Sequence, residues 1–324
     1  MGEFELIRRH FQRPGVALPE QVALGIGDDC ALLQPAPGHQ LAVSCDMLVE
    51  GRHFFAGMNP ASLGHKSLAV NLSDLAAMGA RPLGFTLALA LPSANDAWLS
   101  AFAQGLFALA DAHACPLVGG DTTRGPLNIC ITVLGELRPG QALRRGAAQP
   151  GDDLYLSGRT GEARLALELL LGTPWALQHT AAGALPRLRE RLERPTPRVA
   201  LGQALAGLAH AALDLSDGLA GDLGHLLQAS GVGAHIELPR LPVAPDLQAL
   251  PPALQVDCLI NGGDDYELLF TAAPADRTAI EAAAQASQTP VQRIGQVTAA
   301  PGLRLLDAAG QPVALVPRGF DHFA

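Results

Sequence analysis

The chain has 324 residues, of which 48% are hydrophobic and 16% are charged, and its formal net charge is −9. This composition supports a large buried core, excludes extensive disorder and, at this length, predicts two domains. Nucleic acids and anionic membranes are excluded as preferred partners because both select for basic surfaces. An acidic chain can still bind a polyphosphate when divalent metal ions lie between the two.

The five cysteines are odd in number and contain no C-x-x-C pair. We therefore expect reduced thiols, and neither a disulfide framework nor a zinc site. The first residues, MGEFELIRRHF, are charged throughout and lack the apolar core of a signal peptide. The longest apolar run, residues 83–91, is too short to span a bilayer. These features predict a cytoplasmic protein.

Helix and strand patterns alternate in the first half of the chain. Asn59 and Pro60 form a helix start and Gly79 a stop, so a helix is predicted over 60–78. The i, i+4, i+7 spacing places three polar residues on one face of this helix, namely Ser67, Asn71 and Asp74. The elements predicted next are a buried strand over 83–91, a helix over 95–113, a strand and turn at PLVGGD (116–121), and a strand over 127–137.

The composition shifts to Gly, Pro, Arg and Gln at residues 139–152, which predicts a boundary between domains 1–148 and 149–324. Strand and helix patterns then alternate again. The predicted strands are 153–158, 211–214, 266–272, 303–307 and 312–316, and the predicted helices are 161–172, 185–193, 197–211 and 220–231. This alternation favours an α+β (mixed α/β) fold over an all-α or all-β fold.

Acidic turns beside glycine or serine recur along the whole chain. They are GIGDDC (25–30), SCD (44–46), NLSD (71–74), GGD (119–121), DLSDG (214–218) and NGGDD (261–265). Glycine permits close ligand approach, and aspartate and serine supply the hard oxygens that magnesium prefers. Converging carboxylates need cations, because two unit charges 4 Å apart repel by about 4 kcal/mol at an effective dielectric constant of 20. One such aspartate is usually a turn or cap residue, but six turns favour a site for magnesium and a nucleotide.

Motifs of other enzyme classes are imperfect or missing. The segment GMNPASLGHKS (57–67) imitates a P-loop, but His65 separates Gly64 from Lys66, whereas a P-loop needs adjacent Gly and Lys. The chain contains no G-x-G-x-x-G, H-E-x-x-H or G-x-S-x-G sequence. Oxidoreductase, zinc peptidase and serine hydrolase functions therefore lack their motifs.

The motifs, taken in order, resemble those of one family. GIGDDCALL, NLSDLAAMGARP, GGDTTRGP, DLSDGL, GGDDYELLF and the terminal GFDHF are together similar to thiamine-monophosphate kinases. The likeness covers nearly the whole chain and extends more distantly to aminoimidazole ribonucleotide synthetase and selenophosphate synthetase. It implies an N-terminal α+β domain that dimerises through its sheet, a C-terminal α+β domain, and ATP in the cleft between them. It also implies direct in-line transfer of the γ-phosphate of ATP to thiamine monophosphate, the final step of thiamine diphosphate biosynthesis.

The same resemblance implies roles for individual residues. Several magnesium ions would be held by Asp29, Ser44, Cys45 (through its carbonyl), Asp46, Asp74, Asp121, Asp214 and Asp217. ATP would be contacted by Gly120, Asp121, Arg145 and Ser216. Thiamine monophosphate would be contacted by His53, Asp264 and Phe320.

Three departures from the family pattern concern these residues. Cys45 stands where threonine is usual, so a hydroxyl is lost, and Asp264 stands where glutamate is usual, so the side chain is one methylene shorter. No aromatic residue that could stack on adenine is evident near Gln104.

Other interpretations remain open from the sequence. His53 can be a loop histidine and Phe320 can anchor the C-terminus, while Lys66 is expected to be a solvated helix residue. Trp98 and Trp175 are expected to be packing or surface residues and not parts of a cofactor site. The rival functions are another ATP-dependent enzyme of the superfamily, of the aminoimidazole ribonucleotide synthetase type, and a non-catalytic nucleotide- or metal-binding maturation scaffold. Release of ADP that depends on thiamine monophosphate separates a kinase from a scaffold, and product mass separates a kinase from a synthetase.

Overall fold

A computed structural model of the chain describes residues 2–314. The chain forms two compact units: one comprises the residues up to Leu75 together with Ala80–Gly140, and the other comprises Ala76–Gly79 and the described residues from Gln141 onward. The division after Gly140 falls within the segment 139–152, where the composition shifts. The boundary after residue 148 stays a prediction.

The first unit is built on a four-stranded sheet. Its elements are α1 (Glu3–His10), β1 (Val22–Leu24), β2 (Leu32–Leu33), β3 (Gln40–Val49), α2 (Pro60–Met78), β4 (Arg81–Leu91), α3 (Asp96–Ala112), β5 (Leu117–Arg124) and β6 (Asn128–Leu137), the last turn of α2 belonging to the second unit. The strand order is β3-β6-β4-β5, with the β4–β5 pair parallel and the other pairs antiparallel.

Helix α2 follows directly from its sequence. The Asn59 side chain accepts hydrogen bonds from the backbone N–H groups of Ala61 and Ser62 at 2.9 and 3.2 Å, and Pro60 occupies the first helical position. The helix spans Pro60–Met78, so the predicted range of 60–78 is confirmed.

The two faces of the four-stranded sheet differ in burial. Side chains alternate between faces along a strand, and on β3 the even-numbered residues 42–48 are partly or fully buried. The odd-numbered residues present exposed apolar side chains, with Leu41 at 48%, Val43 at 58% and Met47 at 53% exposure. One face of the sheet therefore packs inside the unit, whereas the other leaves a row of apolar side chains open.

The second unit is built on a larger mixed sheet. Its elements are β7 (Asp153–Ser157), α4 (Glu162–Leu170), α5 (Pro174–His179), α6 (Leu185–Glu193), α7 (Val199–Leu205), β8 (Ala209–Asp214), α8 (Leu219–Ser230), β9 (Gly233–Glu237), α9 (Pro245–Gln248), α10 (Pro252–Asn261), β10 (Leu268–Ala272), α11 (Arg277–Ala286), β11 (Val291–Thr298), β12 (Gly302–Leu306) and β13 (Pro312–Val313), with short 3-10 turns at Arg145–Ala147, Leu238–Arg240 and Pro274–Asp276. The strand order is β13-β12-β9-β11-β7-β10-β8, and only β9–β12 is parallel among these pairs. The apolar core includes Leu154, Leu213, Leu223 and Leu269.

Two element predictions are wrong. The helix predicted over 197–211 ends at Leu205, because a turn in which Leu208 N–H donates to Leu205 O closes it, and the following residues form β8. The turn predicted at residues 119–121 lies inside β5, which continues to Arg124 because it pairs with β4.

Three side chains outside the acidic motifs can be compared with expectation. Trp98 stacks on Phe102 with ring centroids 5.1 Å apart, and Trp175 packs against the core of the second unit, so both are packing residues, which is one of the two alternatives expected for them. Lys66 was expected to be solvated, but it is only 2% exposed. The expectation is wrong because α2 is buried on more than one side.

Candidate active site

A cluster of oxygen ligands lies where β3 meets α2. Ser44 and Asp46 share one face of β3, since they are two residues apart. Ser44 Oγ donates to Asp74 Oδ2 at 2.5 Å, and the backbone N–H of Asp46 donates to Asn71 Oδ1 at 3.0 Å. Asn71 is itself held by α2, because its Nδ2 donates to Ser67 O at 2.9 Å. The polar face predicted for α2 therefore lies against the SCD segment of β3.

The cluster carries more negative charge than its environment favours. Burial, and secondly the negative charge of Asp74, raise the pKa of Asp46 from 3.8 to about 6. A carboxylate in this position is destabilised unless a proton or a cation neutralises it. The donor atoms are two carboxylates and one hydroxyl, all hard oxygens, which is the donor chemistry that suits magnesium.

The cluster is not a complete metal cage. Within residues 2–314, no three His, Cys, Asp or Glu side chains converge in the way a dedicated metal site requires. Magnesium is commonly held by one or two carboxylates and completes its coordination with water and substrate phosphates. The Ser44–Asp46–Asp74 cluster fits that mode of binding.

A second acidic loop lies in the other unit, at the end of β8. Asp214 is the last residue of this strand and is buried, whereas Ser216 is exposed and Asp217 is half-buried. The loop after α10 runs beside it: Asp264 N–H donates to Ser216 O at 2.9 Å, and Tyr266 N–H donates to Leu215 O at 2.8 Å. The structure thus brings the DLSDG and NGGDD motifs together, with Asp264 beside the Ser216 backbone.

Strain in this second loop accompanies those hydrogen bonds. Asp264 has a φ of 66° and Tyr266 a φ of 50°, both in the left-handed region that non-glycine residues rarely adopt. Such strain persists only where the surrounding structure imposes it, and it concentrates at functional sites.

Two further acids in the NGGDDYE segment are deeply buried. Both Asp265 carboxylate oxygens accept from Gly161 N–H, at 2.9 and 3.2 Å, and burial raises the pKa of Asp265 well above its ordinary value. Burial alone would also raise the pKa of Glu267, but the hydrogen bonds and charge of Arg198, at 2.6 Å to each oxygen, outweigh it and lower that pKa. These contacts fix the segment that carries Asp264.

Sequence reasoning missed Asp222, which lies in the first turn of α8. Its Oδ2 accepts from Asp217 N–H at 3.0 Å and from Gly218 N–H at 3.1 Å. Burial raises the pKa of Asp222 to about 6, although the hydrogen bond from Asp217 N–H acts in the opposite direction. An acidic residue in the first turn of a helix, four residues after a glycine, was the available sequence indication.

Other predicted residues do not join the Ser44–Asp46–Asp74 cluster. Asp29 is exposed, and its N–H donates to Asp28 Oδ1 at 2.9 Å. Cys45 points to the opposite face of β3, where its Sγ lies 3.4 Å from that of Cys130. The strand register pairs Asp121 with Ala88 and Ala88 with Cys130, so Asp121 belongs to that exposed row.

The remaining predicted residues have the following surroundings. Gly120 has a φ of 146°, and a Cβ placed there would lie 2.0 Å from Leu87 O, so the close approach of β4 requires glycine. Arg145 is exposed, and its carbonyl accepts from Ser230 Oγ at 2.8 Å. His53 Nδ1 accepts from Val49 N–H at 3.0 Å, which leaves the proton on Nε2. Phe320 lies outside the described residues.

Two family models match the chain: residues 27–137 match the AIR synthase related protein, N-terminal domain, and residues 149–308 match the AIR synthase related protein, C-terminal domain. These matches and the two mixed α/β units define a protein of the AIR synthase-related class. The curated thiamine-monophosphate kinase of Escherichia coli (strain K12) is 45% identical over 325 residues, covering 100% of this chain and 98% of that relative. The chain belongs to the thiamine-monophosphate kinase family, and both the resemblance and the fold class are confirmed.

Two solved structures extend the comparison. A crystal structure of thiamine-monophosphate kinase from Stenotrophomonas maltophilia K279a is 48% identical, covers 91% of this chain and 93% of that chain, and has a TM-score of 0.83. A structure of AaThiL complexed with AMPPCP and TMP is 28% identical, covers 90% of this chain and 89% of that chain, and has a TM-score of 0.75. In the described part of the chain, no helix combines the length and apolar character needed to cross a membrane.

Proposed function

We propose that this protein is a phosphotransferase that uses ATP to phosphorylate thiamine monophosphate, giving thiamine diphosphate and ADP. The observation that carries the proposal is the 45% identity to a curated thiamine-monophosphate kinase over the whole chain. The complex of AaThiL with AMPPCP, an ATP analogue, and TMP supports the same pair of substrates. This is the final step of thiamine diphosphate biosynthesis, and neither nucleic acid nor membrane takes part in it.

The reaction needs no covalent intermediate on the protein. A phosphate oxygen of thiamine monophosphate forms a bond to the γ-phosphorus of ATP while the bond from that phosphorus to the β,γ-bridging oxygen breaks, and ADP leaves. The attacking phosphate is anionic at neutral pH and requires no general base. The protein contributes positioning and charge neutralisation, which dominate phosphoryl transfer.

We assign magnesium binding to acidic residues in both units. Ser44, Asp46 and Asp74 form the assembled cluster of the first unit, and the raised pKa of Asp46 indicates a carboxylate that gains stability from a cation. Asp214 and Asp217 supply carboxylates at the end of β8. Bound magnesium would neutralise phosphate charge and polarise the transferred phosphoryl group. Asp29, Asp121 and the carbonyl of Cys45 are proposed as further ligands on the family resemblance alone, since they lie apart from the Ser44–Asp46–Asp74 cluster.

Substrate contacts are assigned to two groups of residues, one for each substrate. For ATP we propose Gly120, Asp121, Arg145 and Ser216. For thiamine monophosphate we propose His53, Asp264 and Phe320. The strained, hydrogen-bonded backbone of Asp264 supports its role, because fixed geometry is what a substrate-positioning residue requires.

We further propose that the protein is a homodimer that forms through the open face of the four-stranded sheet. Leu41, Val43 and Met47 are each about half exposed on one row of β3, and contiguous exposed apolar surface marks interaction sites. The same patch on two copies gives a self-complementary interface. Val43→Asp is expected to shift the protein from dimer to monomer in analytical ultracentrifugation. Leu177→Asp, at an equally exposed leucine of α5, is the control that should leave the dimer intact.

The five free cysteines support a cytoplasmic location, since reduced thiols persist there. Cys45 and Cys130 are close enough that an oxidising compartment would favour their pairing. Because Cys115 and Cys258 are buried, the protein is alkylated while it is being denatured. Labelling of all five thiols would agree with this location, and an oxidised pair would contradict it.

The activity is tested by measuring ADP release with ATP, magnesium and a panel of phosphorylated small molecules. We expect ADP release only with thiamine monophosphate, and a product with the mass of thiamine diphosphate. Release of ADP with formation of another product would favour a synthetase of the same superfamily. Nucleotide binding without turnover of any acceptor would favour a maturation scaffold.

A further inference from the structure

Asp222 holds the turn that presents Asp217. Its side chain is only 6% exposed, and one carboxylate oxygen, Oδ2, receives both the Asp217 and the Gly218 backbone N–H groups. The two N–H groups precede α8, where they have no partner within the helix. Asp222 therefore reaches back from the helix to the backbone of the acidic turn itself.

The turn is also confined from its other side. Asp264 N–H donates to Ser216 O at 2.9 Å, so the neighbouring loop holds the residue before Asp217. Gly218 has a φ of 112°, and a Cβ built there would lie 2.9 Å from the carbonyl carbon of Asn261. The backbone of the turn is thus clamped between the Asn261–Asp264 loop and the Asp222 carboxylate.

We propose that Asp222 is a positioning residue that orients the Asp217 carboxylate for binding of a magnesium–nucleotide complex. This inference rests on the proposed function, in which Asp217 is a metal ligand. Asp222 acts as a hydrogen-bond acceptor toward the backbone and not through its charge toward the metal ion. Because a single oxygen accepts both bonds, the amide oxygen of asparagine can replace it.

Two substitutions at Asp222 distinguish its role as a hydrogen-bond acceptor from an effect of its negative charge. Asp222→Asn keeps an oxygen that can accept both N–H groups but removes the charge, whereas Asp222→Leu removes the acceptor at similar size. Asp217→Asn is the matched comparison, because it removes the proposed ligand and leaves the Asp222 clamp intact. Each variant is examined as the full chain for thermal melting, amide hydrogen exchange of the 215–222 segment, and half-saturation by magnesium at fixed ATP.

A metal-binding readout independent of turnover is calorimetric titration of Mn²⁺ and AMPPCP. We expect Asp222→Asn to stay within about threefold of the wild type in magnesium half-saturation and to show wild-type exchange. Asp222→Leu should raise half-saturation about tenfold or more, since both backbone hydrogen bonds that hold the turn are lost, and should speed exchange of the segment. Asp217→Asn should weaken metal binding with exchange unchanged.

Three results would overturn the inference. Equal impairment of Asp222→Asn and Asp222→Leu would mean that the charge is required. Faster exchange in Asp222→Leu with normal metal binding would reduce Asp222 to a structural cap. If Asp222→Leu does not fold, the test rests on Asp222→Asn, and impaired Mn²⁺ binding by that variant contradicts the proposal. If the wild-type protein bound Mn²⁺ and AMPPCP but did not phosphorylate thiamine monophosphate, the proposed function would be refuted. The role of Asp222 would still be decided by the binding measurements on its variants.

Discussion

Replacing Asp46 by asparagine should stabilise the metal-free protein while removing its activity. Burial, and secondly the negative charge of Asp74, raise the pKa of Asp46 from 3.8 to about 6. Asparagine preserves size and polarity, and the hydrogen bond from the residue 46 backbone N–H to Asn71 is unaffected. The change therefore isolates the cost of the negative charge.

The magnitude follows from the pKa. A rise of about two units, at about 1.4 kcal/mol per unit, makes ionised Asp46 cost the native state roughly 3 kcal/mol. Because the native carboxyl binds its proton more tightly than the unfolded one, wild-type stability falls as pH rises between about 4 and 6. The penalty is fully present above about pH 6 and absent below about pH 4.

The assay is urea unfolding in EDTA at pH 7.5 and pH 5, analysed by linear extrapolation. At pH 7.5, Asp46→Asn should raise the free energy of unfolding by up to about 3 kcal/mol, and at pH 5 the gain should be roughly half as large. Asp74→Asn should give a smaller gain, since its charge is the lesser cause. Glu281→Gln, at an exposed position on α11, is the charge-matched control and should change little.

Adding magnesium and ATP should reverse the order of stability of the wild type and Asp46→Asn. A ligand that binds only the native state stabilises it by mass action, and the wild type is expected to bind it more tightly. The variant should then be the less stable protein and should turn over slowly. A variant that is less stable than wild type in EDTA, or a gain that does not grow with pH, would refute the electrostatic reasoning. If Asp46→Asn turned over as fast as the wild type at limiting magnesium, the assignment of Asp46 as a metal ligand would be refuted.

Three further substitutions test other parts of the structure. Gly120→Ala should destabilise the fold by several kcal/mol because its Cβ overlaps a β4 carbonyl, whereas Gly119→Ala, with 3.7 Å of clearance, should be tolerated; equal thermal melting would contradict this. His53→Ala should raise the KM for thiamine monophosphate more than that for ATP, and equal effects would remove it from the acceptor site. Arg198→Met should cost about 3–5 kcal/mol at pH 7 by leaving Glu267 buried without its main partner. Since the pKa of Glu267 is lowered, that loss should shrink as pH falls below about 4.5, and chemical denaturation at pH 7 and pH 4 checks it.

Local features of the fold could be predicted because their causes are local. The asparagine cap, the proline after it and the 3.6-residue period place α2 at Pro60–Met78 and put Asn71 and Asp74 on one face. The helix predicted over 197–211 failed for the opposite reason. Pairing with β10 makes residues 209–214 a strand, and that contact is invisible in the local pattern.

The sequence by itself determined the order of the acidic motifs and the family, and it predicted oxygen ligands for magnesium beside a nucleotide. Only the tertiary structure decided which acids meet: Asp46 joins Asp74, whereas the register of the sheet sets Asp121 in another row. It also brought Arg198 to Glu267, 69 positions away in the chain, and brought the Asp222 carboxylate to the backbone N–H of Asp217. The physical reason is that composition and periodicity act over a few residues, whereas strand register and burial depend on contacts between segments far apart in the chain.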